Sequence, residues 1–509
     1  MSITSQVPNT KTQVDWFIFG AGLFILVSIS LTIVLAPQWS AAAIATANKF
    51  VTDELGIVYI IAAIAVLIFL LGIALSKHGD IILGNQNVPE HSMFSWASML
   101  FCAGMGASLI YWAAAEWAFY YVAPPFGANA SSTEAIKWAS SYGIFHWGPV
   151  GWAFYCLPAV AMSCSYHIKG IPSLRLSSAC IPVLGKWADL WPGRLVDLTF
   201  IVGLLGTAAT GLGLGTTVVA SAITKITPLE DGLTMQIVII MIATAMICAS
   251  VYRGLDKGIK LLSVINARLA LLLLLFVFVA GPTAFILEVG VTAVGTVIQN
   301  FILMITWTDA TQTGSFIEDW TIFYWAWWIA LGPFVGMFVC RISSGRSLRQ
   351  LILGMLGFGS LGCSLFFIVL GNYALFLELN GTYPVVSEAI DVGPSAAIAS
   401  ILSLLPYGSF WVAFVAVIGL VFIATTYDSA SYSLAAGATR AMTDQQHPAR
   451  WHRLFWACAL GVLPIALLFL GGLQELQAAS TLASVPLLFV YILLAVAIVR
   501  TLNEMKSQL

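Results

Sequence analysis

Between Trp320 and Gly336 the chain reads WTIFYWAWWIALGPFVG, with four tryptophans, a tyrosine and two phenylalanines crowded together. Indole faces attract cations by roughly 0.5–2 kcal/mol per contact when water is excluded. A quaternary ammonium suits such a surface, because it carries charge but donates no hydrogen bond. On a regular helix, at about 100° per residue, Trp325 and Trp328 lie about 60° apart and Trp327 and Trp328 about 100° apart, so two or three rings can converge on one side. The competing use of the same rings is packing volume or anchoring at a membrane interface. Trp320, at the head of the stretch, is expected to be such an outer anchor, and Gly332-Pro333 is expected to break the helix.

A second group lies in VFIATTYDSASYSLA, Val421 to Ala435, where Thr425, Thr426, Asp428, Ser429 and Ser431 put a polar stripe into an apolar run. Hydroxyl oxygens with backbone carbonyls released from a helix can ligate a hard cation such as sodium. The same hydroxyls can instead bond back to their own helix. In AGMGAS, Ala103 to Ser108, glycines flank Met105 and weaken a helix where such carbonyls could be freed. Glu116, Arg268 and Asp428 are charges inside apolar runs, each costing about 2.5 kcal/mol or more at a bilayer centre, so each must face protein or a water cavity. The six histidines form no HExxH pattern, and His146, in FHWGP, reads as a structural hydrogen-bonder. The eight cysteines show no metal-ligand spacing. Neither an enzyme nor a resident cofactor is expected.

The elements that hold these residues are membrane spans. Of 509 residues 60% are hydrophobic and 9% charged, against about 25% charged in a soluble domain. The net charge of −2 offers no basic surface to nucleic acid. The polar N-terminus lacks a basic n-region, so the first apolar run is expected to be a retained span. Twelve runs are long enough to cross the hydrocarbon, at 16–36, 56–76, 94–122, 142–165, 195–223, 235–252, 261–288, 320–341, 350–377, 408–435, 454–472 and 480–500. With the N-terminus inside, seventeen of the 21 lysines and arginines fall in inside loops, as the positive-inside rule requires. Residues 289–319 are expected to lie along the outer interface as an amphipathic segment, and 395–406 to do the same. The glycines of Gly211-Leu212-Gly213-Leu214-Gly215 read as close helix packing.

Taken together, WTIFYWAWWIALGPFVGMFVCRISSGRSLRQ, the GMG of span three, the AEW and PPFG run from Ala115 to Gly127, FHWGP and FVFVAGPT resemble the betaine/carnitine/choline transporter family. The resemblance covers about residues 15–500. It implies an all-α polytopic fold with a LeuT-type inverted repeat. Two peripheral helices (16–93) precede five-helix repeats at 94–288 and 320–500, with cytoplasmic ends at 1–15 and 501–509. It implies a trimethylammonium group boxed by Phe119, Trp147, Trp327 and Trp328, with Trp325, Trp112 and Met105 close by. Ala103, Met105, Phe422, Thr425 and Thr426 match the sodium-coupled pattern. Two positions depart from relatives: Phe119 replaces a tyrosine, and Leu331 stands where a further aromatic occurs. The expectation is sodium-coupled import of glycine betaine, carnitine or a similar substrate by a homotrimer in a bacterial inner membrane. Sodium-independent exchange of carnitine and butyrobetaine, or proton-coupled choline or betaine uptake, is the alternative.

Overall fold

A computed structural model describes residues 13–84, 88–103, 106–253, 256–311, 314–440, 447–470 and 473–506. The chain is a helical bundle, and among the described residues β pairing is limited to isolated bridges at Val14–Thr439 and Ile82–Ser347. The main helices are α1 (Trp16–Leu35), α2 (Pro37–Glu54), α3 (Gly56–Leu75), α4 (Met93–Ala103), α5 (Ala107–Val122), α6 (Thr133–His146) and α7 (Pro149–Ser163). They continue as α8 (Trp191–Ile226), α9 (Leu233–Arg253), α10 (Asp256–Ala280), α11 (Thr283–Thr306) and α12 (Phe323–Ile342). The last are α13 (Leu348–Leu379), α14 (Pro394–Ser403), α15 (Gly408–Gly437), α16 (Arg450–Leu468) and α17 (Leu473–Lys506). Ten helical segments among the described residues are long and apolar enough to cross a membrane: α1, α3, α8, α9, α11, α12 with its lead-in, α13, α15, α16 and α17.

Nine of the twelve expected runs are met by such helices. Two others are split. The run 94–122 is α4 and α5, separated at Gly106, whose backbone is extended (φ −150°, ψ 175°). The run 142–165 is α6 and α7, broken at Trp147-Gly148, where Pro149 opens the next helix. A side chain at Gly148 would sit 2.5 Å from the Ile144 carbonyl oxygen, so only glycine fits this turn. The run 261–288 is not one span: α10 stops at Ala280, before Gly281-Pro282, and α11 starts at Thr283.

Helix α11 has three faces. Ile286, Gly290, Ala293 and Val297 are buried against the bundle. Leu287, Val291, Val294, Ile298 and Ile302 form an exposed apolar stripe, and Glu288, Thr292, Gly295 and Gln299 an adjacent polar one. Helix α14 differs from the expectation that 395–406 lies along the interface. Its residues from Ala397 to Leu402 are buried, and Ser400 accepts from Lys225 Nζ (2.9 Å) and donates to Glu388 Oε1 (2.9 Å). Polar side chains at its start and end pair inside the bundle, which draws the helix in.

The expected break at Gly332-Pro333 is absent, and α12 runs through Pro333 without interruption. Proline lacks the N–H that would reach the Ile329 carbonyl. The hydroxyl of Tyr491, on α17, stands in for it, 3.2 Å from Ile329 O and 2.8 Å from Phe154 O. The glycines serve contact instead of bending. A Cβ at Gly332 would lie 2.0 Å from Tyr491 Oη, and one at Gly336 2.8 Å from the Ala159 nitrogen. Helices α12 and α7 therefore cross at backbone contact, as small residues allow where no water drives association. The GLGLG run follows the same logic, with Gly215 facing Ala107 and Ile423.

Charge pairs join segments that the lysine and arginine alternation places on one side. Asp15 is buried and paired with Arg440 (3.3 Å) and Arg194 (3.4 Å). Arg175 holds Asp197 through Nε at 2.8 Å. Lys169 pairs with Glu504, and Arg349 with Asp80. Tyr491→Phe is expected to cost about 0.5–1.5 kcal/mol, the range of hydrogen bonds between membrane helices. That loss should appear as a lower thermal unfolding midpoint in detergent, with Gly332→Ala lower still, since its methyl group would strike the tyrosine oxygen.

Candidate functional site

The aromatic stretch resolves into two faces of one helix. A π-helical turn, Ile317–Ile322, leads into α12 and brings Trp320, Tyr324 and Trp327 into a ladder of near-parallel rings. Trp320 and Tyr324 are 6.5 Å apart at 26°, and Tyr324 and Trp327 6.3 Å apart at 15°. Trp325 and Trp328 point the other way, onto α6 and α7. Trp325 packs on Phe145, His146 and Phe154, and Trp328 on Trp152 and Tyr155, its indole lying flush with Gly151.

The expected box is therefore divided. Trp147 comes from the α6–α7 break and meets Trp327 edge to face at 5.8 Å and Trp328 at 5.5 Å. Phe119 and Trp112 lie elsewhere, packed on Trp320 at 5.4 and 5.5 Å. Tyr324 touches both groups, 5.8 Å from Trp147 and 6.3 Å from Trp112. Trp325 is a packing residue, because α7 covers its face. Trp320 is not an outer anchor: it is buried among Trp112, Phe119, Tyr120 and Tyr324. Tyr324 and Trp320 belong to the constellation although the sequence analysis did not assign them there. Their spacing to Trp327, i, i+4 and i+7, was the available signal.

Beside Trp327 is a small cavity of about 60 Å³. Its lining includes Gly106 and Ser108 at the α4–α5 break, Trp327 and Leu331 of α12, and Phe422 and Thr426 of α15. Pockets for small ligands run from about 300 Å³ upward, so this cavity is smaller than a substrate site and has room for a few water molecules. Among the described residues no lysine, arginine, aspartate or glutamate lines it.

The two threonines part company here. Thr425 donates to Val421 O (2.9 Å) and Phe422 O (3.3 Å), closing on its own helix. Thr426 and Phe422 line the cavity, and Thr425 does not. Met105 lies outside the described residues, and Ala103 ends α4. Asp428 is buried on α15, whereas the Arg268 side chain is exposed on α10.

Glu116 is fully buried on α5, and its carboxylate accepts from Tyr120 and Tyr324. His146 lies 3.0 Å from Tyr120 Oη through Nδ1 and 3.1 Å from Thr321 Oγ1 through Nε2, the structural role expected of it. Trp147 Nε1 approaches Glu116 without reaching hydrogen-bond geometry.

Residues 17–507 match the family model for betaine/carnitine/choline family transporters. The chain belongs to the betaine/carnitine/choline transporter family. This member is similar to a carnitine transporter of Acinetobacter baumannii, 32% identical over 97% of this chain and 90% of the relative. It is 33% identical to the high-affinity choline transport protein of Escherichia coli K12, over 96% of this chain and 72% of that one. A glycine betaine/proline/choline/ectoine transporter of Vibrio parahaemolyticus is also 33% identical, over 96% and 87%. Membership fits a polytopic transporter and not an enzyme.

The orientation of the two hydroxyls is directly testable in this transporter. In a background without native cysteines, Thr426→Cys is expected to react with a small water-soluble thiol reagent at least tenfold faster than Thr425→Cys, measured by mass spectrometry of the intact protein.

Proposed function

We propose that the protein imports a quaternary-ammonium substrate of the betaine type, such as glycine betaine or carnitine, by sodium-coupled symport through alternating access. One observation carries the reading. Trp327, Thr426 and the helix break at Gly106 line one small cavity. A ring that attracts a cation without hydrogen bonds and oxygen donors for a hard ion stand side by side. A lining that among the described residues carries no charged side chain favours a zwitterion, whose net charge is zero, over a bare cation.

Of the expected sodium ligands, Thr426, Phe422 and the α4–α5 break support the assignment. Sodium entering down the membrane potential supplies about 2.3 kcal/mol per charge per 100 mV, enough to concentrate a zwitterion many-fold. The sodium-independent exchanger or proton-coupled carrier is favoured by one feature, the Thr425 hydroxyl satisfied within its own helix. The relatives' names span carnitine, choline, betaine, proline and ectoine, so substrate choice within this class is part of the proposal.

The architecture goes with this reading. Twelve spans form two inverted five-helix repeats behind two peripheral helices, with both termini inside a bacterial inner membrane and three protomers per assembly. The two exposed stripes of α11 suit an outer interface, one in hydrocarbon and one in water.

Uptake into proteoliposomes of glycine betaine, carnitine, choline and dimethylsulfoniopropionate, each with a sodium gradient, a proton gradient and neither, tests the function. Accumulation of a zwitterion only with sodium is the expected result. Trp327→Ala should abolish it, Trp325→Ala should keep substrate affinity, and Thr426→Ala should raise the sodium concentration for half-maximal uptake at least tenfold. Equal uptake with and without sodium would reject the coupling.

A further inference from the structure

Glu116 is a fully buried carboxylate in a membrane protein, and among the described residues no lysine or arginine pairs with it. Its two oxygens are held instead by phenols from two helices, Tyr120 of α5 on Oε1 and Tyr324 of α12 on Oε2. The chain continues outward through His146, 3.0 Å from Tyr120 Oη and 3.1 Å from Thr321 Oγ1. Tyr120 and Tyr324 both donate to the carboxyl group, and the two ring nitrogens of His146 bridge Tyr120 Oη and Thr321 Oγ1. The apolar surroundings offer these hydrogen bonds no competitor.

Each end of this network terminates on a wall of the aromatic site. Tyr324, fixed at its hydroxyl by Glu116, stacks on Trp327 and stands edge-on to Trp147. His146, fixed at both ring nitrogens and stacked on Tyr324 at 4.8 Å, is the last residue of α6 before Trp147 and the helix break. The ring angles of Trp327 and Trp147 thus trace back to one carboxylate that touches neither the cavity lining nor the proposed substrate.

We propose that Glu116 is a positioning residue of the ammonium site. Through Tyr324 and the Tyr120–His146 pair it sets the orientation of Trp327 and Trp147, and so the affinity for the trimethylammonium group. The carboxylate acts as an acceptor for two phenols and not as a charge that meets the substrate or carries a proton. The inference rests on the reading of Trp327 as a substrate-facing ring.

The test measures binding of glycine betaine, carnitine and choline to the purified full-length protein, together with the KM and maximal rate of uptake in proteoliposomes. Glu116→Gln can accept from one phenol and donate to the other, and should stay within about threefold of wild-type affinity. Glu116→Leu and Tyr324→Phe should weaken binding at least tenfold and raise KM, with the maximal rate changed less than twofold. Should Glu116→Leu fail to fold, Tyr324→Phe carries the test, since it removes one hydroxyl and keeps the ring. Wild-type affinity in Tyr324→Phe, or Glu116→Gln as damaging as Glu116→Leu, would overturn the proposal. Trp327→Ala with unchanged affinity would instead overturn the substrate reading, whatever the Glu116 variants do.

Discussion

Helices α7 and α12 touch backbone to backbone, and the rest of the site follows from that contact. Gly336 lies on the Pro158-Ala159 turn, Gly151 lies under Trp328, and Tyr491 fits the space that Gly332 leaves. With one face of α12 pressed this closely on α7, Trp325 and Trp328 have nowhere to go but into the interface. Trp327, about 100° around the helix from Trp328, is left facing the cavity. An added side chain at Gly332 or Gly336 would meet Tyr491 or the backbone of α7 and force the two helices apart. The contact also explains how a proline survives in mid-helix. The tyrosine that fills the glycine notch shares its hydroxyl proton between the Phe154 carbonyl and, at longer range, the Ile329 carbonyl that the proline leaves without a donor.

Apolar runs, their charge alternation and the glycine-flanked break in span three were legible in the sequence, because length, charge and helix propensity act locally. So was the kinship of Trp147 with Trp327 and Trp328, through the family resemblance. Three things were not. The Gly332-Pro333 pair reads as a break unless Tyr491, far along the chain, is known to be at hand. Trp320 reads as an interfacial anchor, because nothing in the sequence shows that a π-helical turn carries it inward onto Trp112 and Phe119. Thr425 and Thr426 are equivalent on paper, and only packing decides which hydroxyl turns back and which faces the cavity. The limits are alike in kind: each depends on a partner distant in sequence.

Two kinds of partner serve the buried ionisable groups of this bundle. Glu116 and His146 are satisfied by neutral hydroxyls, whereas Asp197 and Asp15 meet guanidinium groups. The difference suits their places. Guanidinium pairs lie where the arginines gather, at one end of the bundle. Phenols serve in its middle, where a compact neutral donor avoids burying a second charge. A carrier that must admit a charged headgroup gains from that economy, since fixed charges near the path would favour one sign of ligand.

Asp15 ties together segments that are far apart in the chain. Its carboxylate caps the first turn of α1 through Phe17 N, while its counter-charges come from Arg194 and Arg440. Val14 also pairs with Thr439, beyond the end of α15. One buried carboxylate thus fastens the start of α1 to the start of α8 and to the chain just past α15, so its loss would loosen three elements at once.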